Sequence, residues 1–317
     1  MRSHGTCETG RVPVQRQDRV VVVVGPTASG KSALAVAVSR RLGGEVVNAD
    51  AVQLFRGMDI GSAKVTEAER AGVPHHLLDV LDVREEANVA VFQRSARRAI
   101  DEIRGRGALP VLVGGSSLYV RAVIDPLDFP GTDADVRARW DQRLSELGAE
   151  ALHAELRRRD PAAAEQILPT NGRRIVRALE VGELTGAPFR ATMPDFTSVY
   201  DDLVMIGLDV PRHVLDDRIR RRVDQMWDDG LVEEVERLRA EGIEEGLTAS
   251  RALGYQQLLA HGRGEIGEDE AHEQTITGTR RFARRQDRMF RKDPRVRWLP
   301  YDAADLVERA VALAEAP

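Results

Sequence analysis

A chain of 317 residues with 42% hydrophobic and 31% charged residues can fill the cores of two ordinary domains, or of one domain carrying a large insertion, and is not a mainly disordered chain. Its net charge of −5 argues against nucleic-acid binding over the whole surface, and its single cysteine, Cys7, excludes an intrachain disulfide framework and a multi-cysteine zinc module. No apolar run approaches the roughly 20 residues that span a bilayer, and the stretch 1–18 is polar, so a flexible leader, no membrane contact and a cytoplasmic location are expected.

The first element is Val20–Val24, five consecutive valines that suit a strand buried on both faces. Short apolar strands recur at Glu45–Asn48 and Pro110–Val113, with helical stretches at Ser32–Leu42 and Val89–Arg104 between them. Strands alternating with helices predict a doubly wound parallel sheet whose ligands bind at the carboxyl ends of the strands. From Thr132 the pattern is helical only: Ala134–Leu147, Glu150–Arg159, and Arg173–Leu184 opened by Thr170 or Asn171 and closed by Gly186 and Pro188. We read 132–200 as a helical insertion and 19–131 with 201–317 as the core domain. Leu203–Leu208 returns to the strand pattern, and Val214–Arg239 then repeats apolar residues at helical spacing from Leu215 to Leu238. Trp140, Trp227 and Trp298 are expected in the core or an interface.

Gly25-Pro26-Thr27-Ala28-Ser29-Gly30-Lys31-Ser32 matches the phosphate-binding pattern G-x-x-x-x-G-K-[ST], with a buried strand before it and a helix after it. The glycines let backbone N–H groups turn in on a phosphate, the helix N-terminus adds its dipole, Lys31 adds a point charge and Ser32 can hold magnesium. Lys31 is one of only three lysines, with Lys64 and Lys292, against 43 arginines, so lysine is not a default surface residue here. A phosphate cradle names a ligand type rather than a reaction. Asp50, after the strand Glu45–Asn48, sits at the same sheet edge and can hold magnesium, act as a general base or cap a helix. Gly114-Gly115-Ser116-Ser117 reaches that edge too, a turn where a ligand can approach backbone closely. No strand is read as ending in a second acidic residue of the kind motor NTPases use, which argues against a hydrolytic machine. His75 and His76, being adjacent, have poor spacing for chelation and are expected to be structural.

Thr279–Lys292 carries seven basic residues against the single acid Asp287. At helical spacing Arg280, Arg284 and Arg288 align, with Arg281 and Arg285 beside them and Phe282 and Met289 near the opposite face. Such an uncompensated ridge on an acidic protein reads as a phosphate track. Arg137 and Arg139, with Arg173, Arg174 and Arg177 at a helix start, repeat the theme in the insertion, and together these point to an extended polyanion.

Gly25–Ser32, Asn48-Ala49-Asp50 with Gln53, Arg56–Gly61, Val73–Asp79, Val113–Ser116, Arg173–Glu180, Ser250–Tyr255 and Arg281–Gln286, in this order over Val20–Leu299, closely resemble the bacterial tRNA dimethylallyltransferase (tRNA isopentenyltransferase) family. The resemblance implies an α/β fold, a kinase-like P-loop sheet with helices on both faces and a helical insertion, and a monomer. It implies transfer of a dimethylallyl group from dimethylallyl diphosphate to the exocyclic amine of the adenosine 3′ of the anticodon, with magnesium. By the same resemblance Asp50 looks like the general base, Gly25, Pro26, Thr27, Ala28, Ser29, Gly30, Lys31 and Ser32 like the diphosphate site, with Thr27 and Lys31 active in catalysis and Ser32 on the metal, and Arg251 like a further diphosphate-neutralising residue. Asp50, Ala51, Val52, Gln53, Ser116, Arg137, Arg173, Arg174, Arg177, Arg281, Arg284, Arg285 and Arg288 look like contacts to the tRNA anticodon stem-loop. The loop nucleotide would be flipped out of its stack to reach the reacting centre. The family usually has Ser where Ala51 stands and often Tyr where Phe55 stands. Rival readings are a nucleotide or small-molecule kinase, dimethylallyl transfer to a free adenine nucleotide, and an NTP-gated RNA-binding module in which Asp50 is structural.

Overall fold

The structure, a computed structural model, describes residues 18–189 and 195–316. Cys7 and all but the last residue of the leader lie outside the described residues. Two compact units divide the chain, one running to Asp125 and resuming at Ser198, the other spanning Pro126–Thr197. The first is built on a six-stranded parallel sheet of β1 (Arg19–Val24), β2 (Gly44–Asn48), β3 (His75–His76), β4 (Leu109–Gly114), β5 (Asp202–Asp209) and β6 (Val296–Pro300), ordered β3-β2-β4-β1-β5-β6.

The valine run decides the layering. All of β1 lies in the sheet's interior, and its side chains alternate between faces. Val20, Val22 and Val24 pack with Leu112 and Met205 against α3 (Val89–Gly105) and α4 (Ser117–Ile124). Val21 and Val23 pack with Val111, Val204 and Ile206 against α1 (Lys31–Leu42) and α12 (Leu306–Glu315). Helices therefore cover both faces, as a fully apolar parallel strand requires. Between these elements come α2 (Glu67–Arg70), then α8 (Arg212–Asp228), α9 (Leu231–Ala240), α10 (Tyr255–Gly262) and α11 (Glu268–Phe290). The apolar repeat from Leu215 to Leu238 is two helices, broken at Gly230, whose φ of 95° suits glycine.

The second unit holds α5 (Ala134–Arg159), α6 (Pro161–Gln166) and α7 (Gly172–Thr185) around a core that includes Trp140, Leu152 and Ile175. Gly148 interrupts α5 with φ 78°, and Asn171 caps α7 while Gly186 ends it. The unit begins six residues before and ends three before the boundaries read from the sequence. Arg177 donates to the Pro130 and Gly131 carbonyls, holding the entering leg, whereas Val199 N–H donates to Ile124 C=O and Tyr200 is buried in the sheet core.

Two edge strands were not legible. His75–His76 is too short for a period, and the role of both histidines is structural: His76 Nε2 lies 2.6 Å from the Glu45 carboxylate and His75 Nδ1 2.8 Å from Val73 C=O. β6 mixes Arg297 and Pro300 into its five residues. β5 does end in an acid, Asp209, against the sequence reading. It is exposed and paired with Arg291, and it lines neither cavity described below.

Asp125, the last residue of the first unit before the crossing to the second, is fully buried. Its carboxylate meets Arg121 and, at 2.7 Å, Arg295, while its carbonyl accepts from Arg97 at 2.7 Å. Removing one member of a buried charge group costs about 3 kcal/mol or more. Asp125→Asn is expected to lower the urea midpoint accordingly at unchanged slope, whereas Asp209→Asn, at an exposed pair, should move stability by at most about 1 kcal/mol.

Candidate active site

The loop after β1 and the first turn of α1 form the anion cradle. Ala28 (φ 62°) and Gly30 (φ 98°) take left-handed conformations that turn the backbone, and no side chain caps α1, so its first N–H groups remain available to an anion. Ser29 N–H donates to Pro26 C=O at 3.3 Å, and Thr27 N–H to Gln286 Oε1 at 2.9 Å, which ties the loop to α11. Ser29 Oγ is buried and has no hydrogen-bond partner among the described residues. Burial pushes the Lys31 ammonium down to about 8; neighbouring Asp50 opposes that shift and Arg222 adds to it. Burial likewise lowers Arg222, and Asp50 again opposes.

Asp50 follows β2. Its N–H donates to Asn48 Oδ1 and its Oδ1 accepts from Val52 N–H, both at 3.0 Å, while Asn48 Nδ2 donates to Asp50 C=O and Leu77 C=O. No helix follows before α2, so the capping reading of Asp50 does not apply; one carboxylate oxygen closes a short turn instead. The end of β2 comes close to β4 because Gly114 lacks a side chain: a Cβ there would lie 2.6 Å from Ala49 C=O. At Gly115 a Cβ would lie 2.5 Å from Gln286 Nε2. The sequence reading had the turn Gly114–Ser117 approaching a ligand; in the structure its two glycines make room for Ala49 and Gln286, while Ser116 lines a cavity.

Two cavities meet here. The first, about 800 Å³, is lined by Thr27, Asp50, Ala51, Val52, Ser116 and Arg251 among the anticipated residues, and by Arg281, Arg285 and Arg288 of α11. Its apolar wall comes from Ile219, Val223 and Met226 of α8 with Ala252, Leu253 and Phe282. The second, about 420 Å³, is lined by Ala28, Gly30, Lys31 and Ser32 of the cradle with Arg40 and Glu69. Among the described residues only Ala63 and Arg222 line both.

Several anticipated residues lie elsewhere. Gly25, Pro26 and Ser29 line neither cavity, although each belongs to the cradle's turn. Gln53 lines neither cavity either; its Nε2 donates to Ser62 and Ala63 carbonyls at 3.1 and 3.2 Å. The expected ridge is split and is not uncompensated. Arg280 and Arg284 face Asp216 at 3.8 Å, and Arg291 pairs with Asp287 and Asp209. The core face of α11 is Ala283, Gln286 and Phe290, so Met289 is exposed and Phe282 borders the cavity, contrary to the helical-wheel reading. In the second unit Arg137 and Arg177 share the buried carboxylate of Glu180 at 3.2 and 2.8 Å, and Arg139 pairs with Glu183. Arg173 and Arg174 are exposed at the start of α7.

Sequence reasoning missed Arg222. Its signal was present, since Arg222 follows Ile219 by three residues and precedes Met226 by four, on the same stripe of α8 as the apolar residues. A cation on an otherwise apolar stripe points inward and needs a partner.

The family model described as IPP transferase matches residues 53–293. The chain is 61% identical over 299 residues to the tRNA dimethylallyltransferase of Thermobifida fusca, covering 93% of each chain. Among solved structures it is similar to the full-length tRNA isopentenylpyrophosphate transferase of Bacillus halodurans, with 41% identity, a TM-score of 0.69 and 94% of each chain covered. A eukaryotic dimethylallyltransferase acting on tRNA shares the fold, with a TM-score of 0.80 at 24% identity over 93% of this chain and 78% of that one. A P-loop sheet of this topology, the cradle beside Asp50 and these likenesses together place the chain in the IPP transferase family.

Proposed function

We propose that the chain transfers the dimethylallyl group of dimethylallyl diphosphate to the exocyclic amine of the adenosine 3′ of the anticodon in tRNA. The observation that carries this reading is the meeting of an anion cradle and a large, arginine-walled cavity at one point, with Asp50, Lys31 and Arg222 close enough to perturb one another. An adenine amine is a poor nucleophile because its lone pair is delocalised into the ring. Asp50, lining the larger cavity, accepts its proton as the new carbon–nitrogen bond forms. The allylic carbon–oxygen bond breaks and charge gathers on the diphosphate. Cradle N–H groups, Lys31 and Arg222 stabilise that charge where it develops. Arg222 lines both cavities and Arg251 only the larger, so Arg222 takes the position nearer the cradle and Arg251 adds positive charge from the larger cavity.

Magnesium fits this site as a companion of the diphosphate. Among the described residues no group of three or more His, Cys, Asp or Glu side chains could hold a metal, so the ion would be held by Ser32 Oγ, the ligand's own oxygens and water, the role the serine has in this phosphate-loop pattern. It would add positive charge at the leaving group. Arg281, Arg285 and Arg288 would meet tRNA phosphates at the cavity, and Arg173 and Arg174 are the candidates for phosphate contacts on the second unit. Two arginines in the first turn of α7 oppose its dipole, an arrangement that a nearby polyanion makes favourable. Among the described residues no helix is long and apolar enough to cross a membrane. Labelled dimethylallyl diphosphate with total tRNA, followed by mapping of the modified nucleotide, tests the reading; label on free adenine nucleotides, or none on tRNA, would overturn it.

Asp50→Asn should keep tRNA affinity and slow single-turnover transfer by about 10²- to 10⁴-fold, because an amide keeps the shape but cannot take the proton. Wild-type chemistry in this variant would reduce Asp50 to its turn.

Because diphosphate favours protonated Lys31, its affinity should be steady below pH 8 and weaken as pH rises through about 8. Calorimetric titration across pH 6.5–9.5 checks this, and Lys31→Met should bind more weakly with that pH dependence gone.

Neutralising Arg281, Arg285 and Arg288 together should weaken all tRNAs alike and flatten the logarithmic salt dependence of binding by roughly 0.7 to 0.9 per lost phosphate contact. Affinity over a salt series reads the slope, and an unchanged slope would remove these side chains from the phosphate track.

A further inference from the structure

The segment Asp59–Lys64 stands where the two cavities meet. Gly61, Ser62 and Ala63 line the larger cavity, Ala63 also lines the smaller, and Ala63 carries φ 48°, a conformation unusual for a residue with a side chain. Leu77 (φ 62°) and Asp79 (φ 57°) are left-handed as well. Such positions persist only where their surroundings over-determine them. Here the fixing element is Lys64. Its side chain is only 4% exposed, and Nζ lies 2.9 Å from Phe55 C=O, 2.6 Å from Asp59 Oδ1 and 2.5 Å from Asp79 Oδ1, so all three ammonium donors are engaged. The loop below Asp50 is joined to the same construction: Asp79 N–H donates to Gln53 C=O, Val80 and Leu81 N–H groups to Leu54 C=O, and Gln53 Nε2 to Ser62 and Ala63. Glu234 fixes the far end, accepting from the N–H groups of Asp59, Ile60 and Gly61 and, at 2.6 Å, from the Tyr255 hydroxyl.

We propose that Lys64 is a positioning residue for the transfer reaction: by holding Phe55, Asp59 and Asp79 on one ammonium it fixes the wall at Ala63 and the Asp50 loop relative to Arg222. It touches no reacting atom. A guanidinium cannot replace it, because three acceptors converge on one point and a planar fork presents its donors in a different geometry. Without the ammonium, Asp59 and Asp79 are two like charges with no cation between them. The loop would then relax, so the catalytic rate should suffer while the binding of each substrate, carried mainly by the cradle and the arginines of α11, should change little.

The inference rests on the transferase reading above, and wild-type activity on tRNA decides that reading separately. The test compares Lys64→Met and Lys64→Arg in the full chain with Arg19→Met. Arg19 is a buried arginine paired with Asp202 at 2.7 Å at the amino end of β1, opposite the site. Single-turnover rate, KM for both substrates and the thermal midpoint are measured. Both Lys64 variants should lose about ten- to a hundredfold in rate, the scale of an ångström misplacement, with each KM within a factor of three of wild type. Arg19→Met should lose midpoint without losing rate. If Lys64→Met does not fold, Asp79→Asn removes one arm from a partly exposed partner and is read in the same way. A rate loss no greater than that of Arg19→Met, a loss carried by KM, or full rescue by arginine would overturn the proposal in an active wild type.

Discussion

A half-buried ammonium at the edge of the sheet governs the site. Lys31 opens α1 at the one edge of the sheet where β1, β2 and β4 all end, and burial there lowers its hold on a proton. Its charge is sustained by Asp50 and opposed by Arg222. Three charged groups this close, each partly desolvated, form an arrangement that a bound dianion would complete. The supporting devices serve that arrangement: the missing side chain at Gly114 lets β2 end beside β4, and Gln286 fixes the loop at Thr27.

What was legible in the sequence was what the chain keeps contiguous. The valine run announced a two-faced strand, and Gly25–Ser32 announced the cradle, because strand, turn and helix start follow one another without interruption. Helices α5 and α7 were legible through caps and glycines, whereas the short α6 was not read. Arg222 was not found, since its partners Lys31 and Asp50 are about 190 and 170 residues away in the chain and no periodicity reports on a neighbour reached through folding. For the same reason the neighbours of Gly114 and Gly115 were not legible: a glycine tells that something comes close, and only the fold tells that it is Ala49 and Gln286.

The arginine-rich composition gave a second lesson about charge. Counted along the helix, Arg280 to Arg288 formed one ridge. Placed against α8, the ridge divides, with Arg280 and Arg284 turned to Asp216 and the others left on the cavity. Ion pairs that consume part of a basic run are themselves informative, because they sharpen the remaining charge into a narrower stripe.

That stripe and Gln286 are on the same helix. Arg285 and Arg288 border the large cavity while Gln286, between them in sequence, holds the backbone of the phosphate loop through Thr27. In the proposed function, helix α11 would carry a nucleic-acid grip on one side and a tie to the donor cradle on the other. A tilt imposed at the grip would reach Thr27 through Gln286, and any coupling of the two substrates carried this way would be equal in both directions.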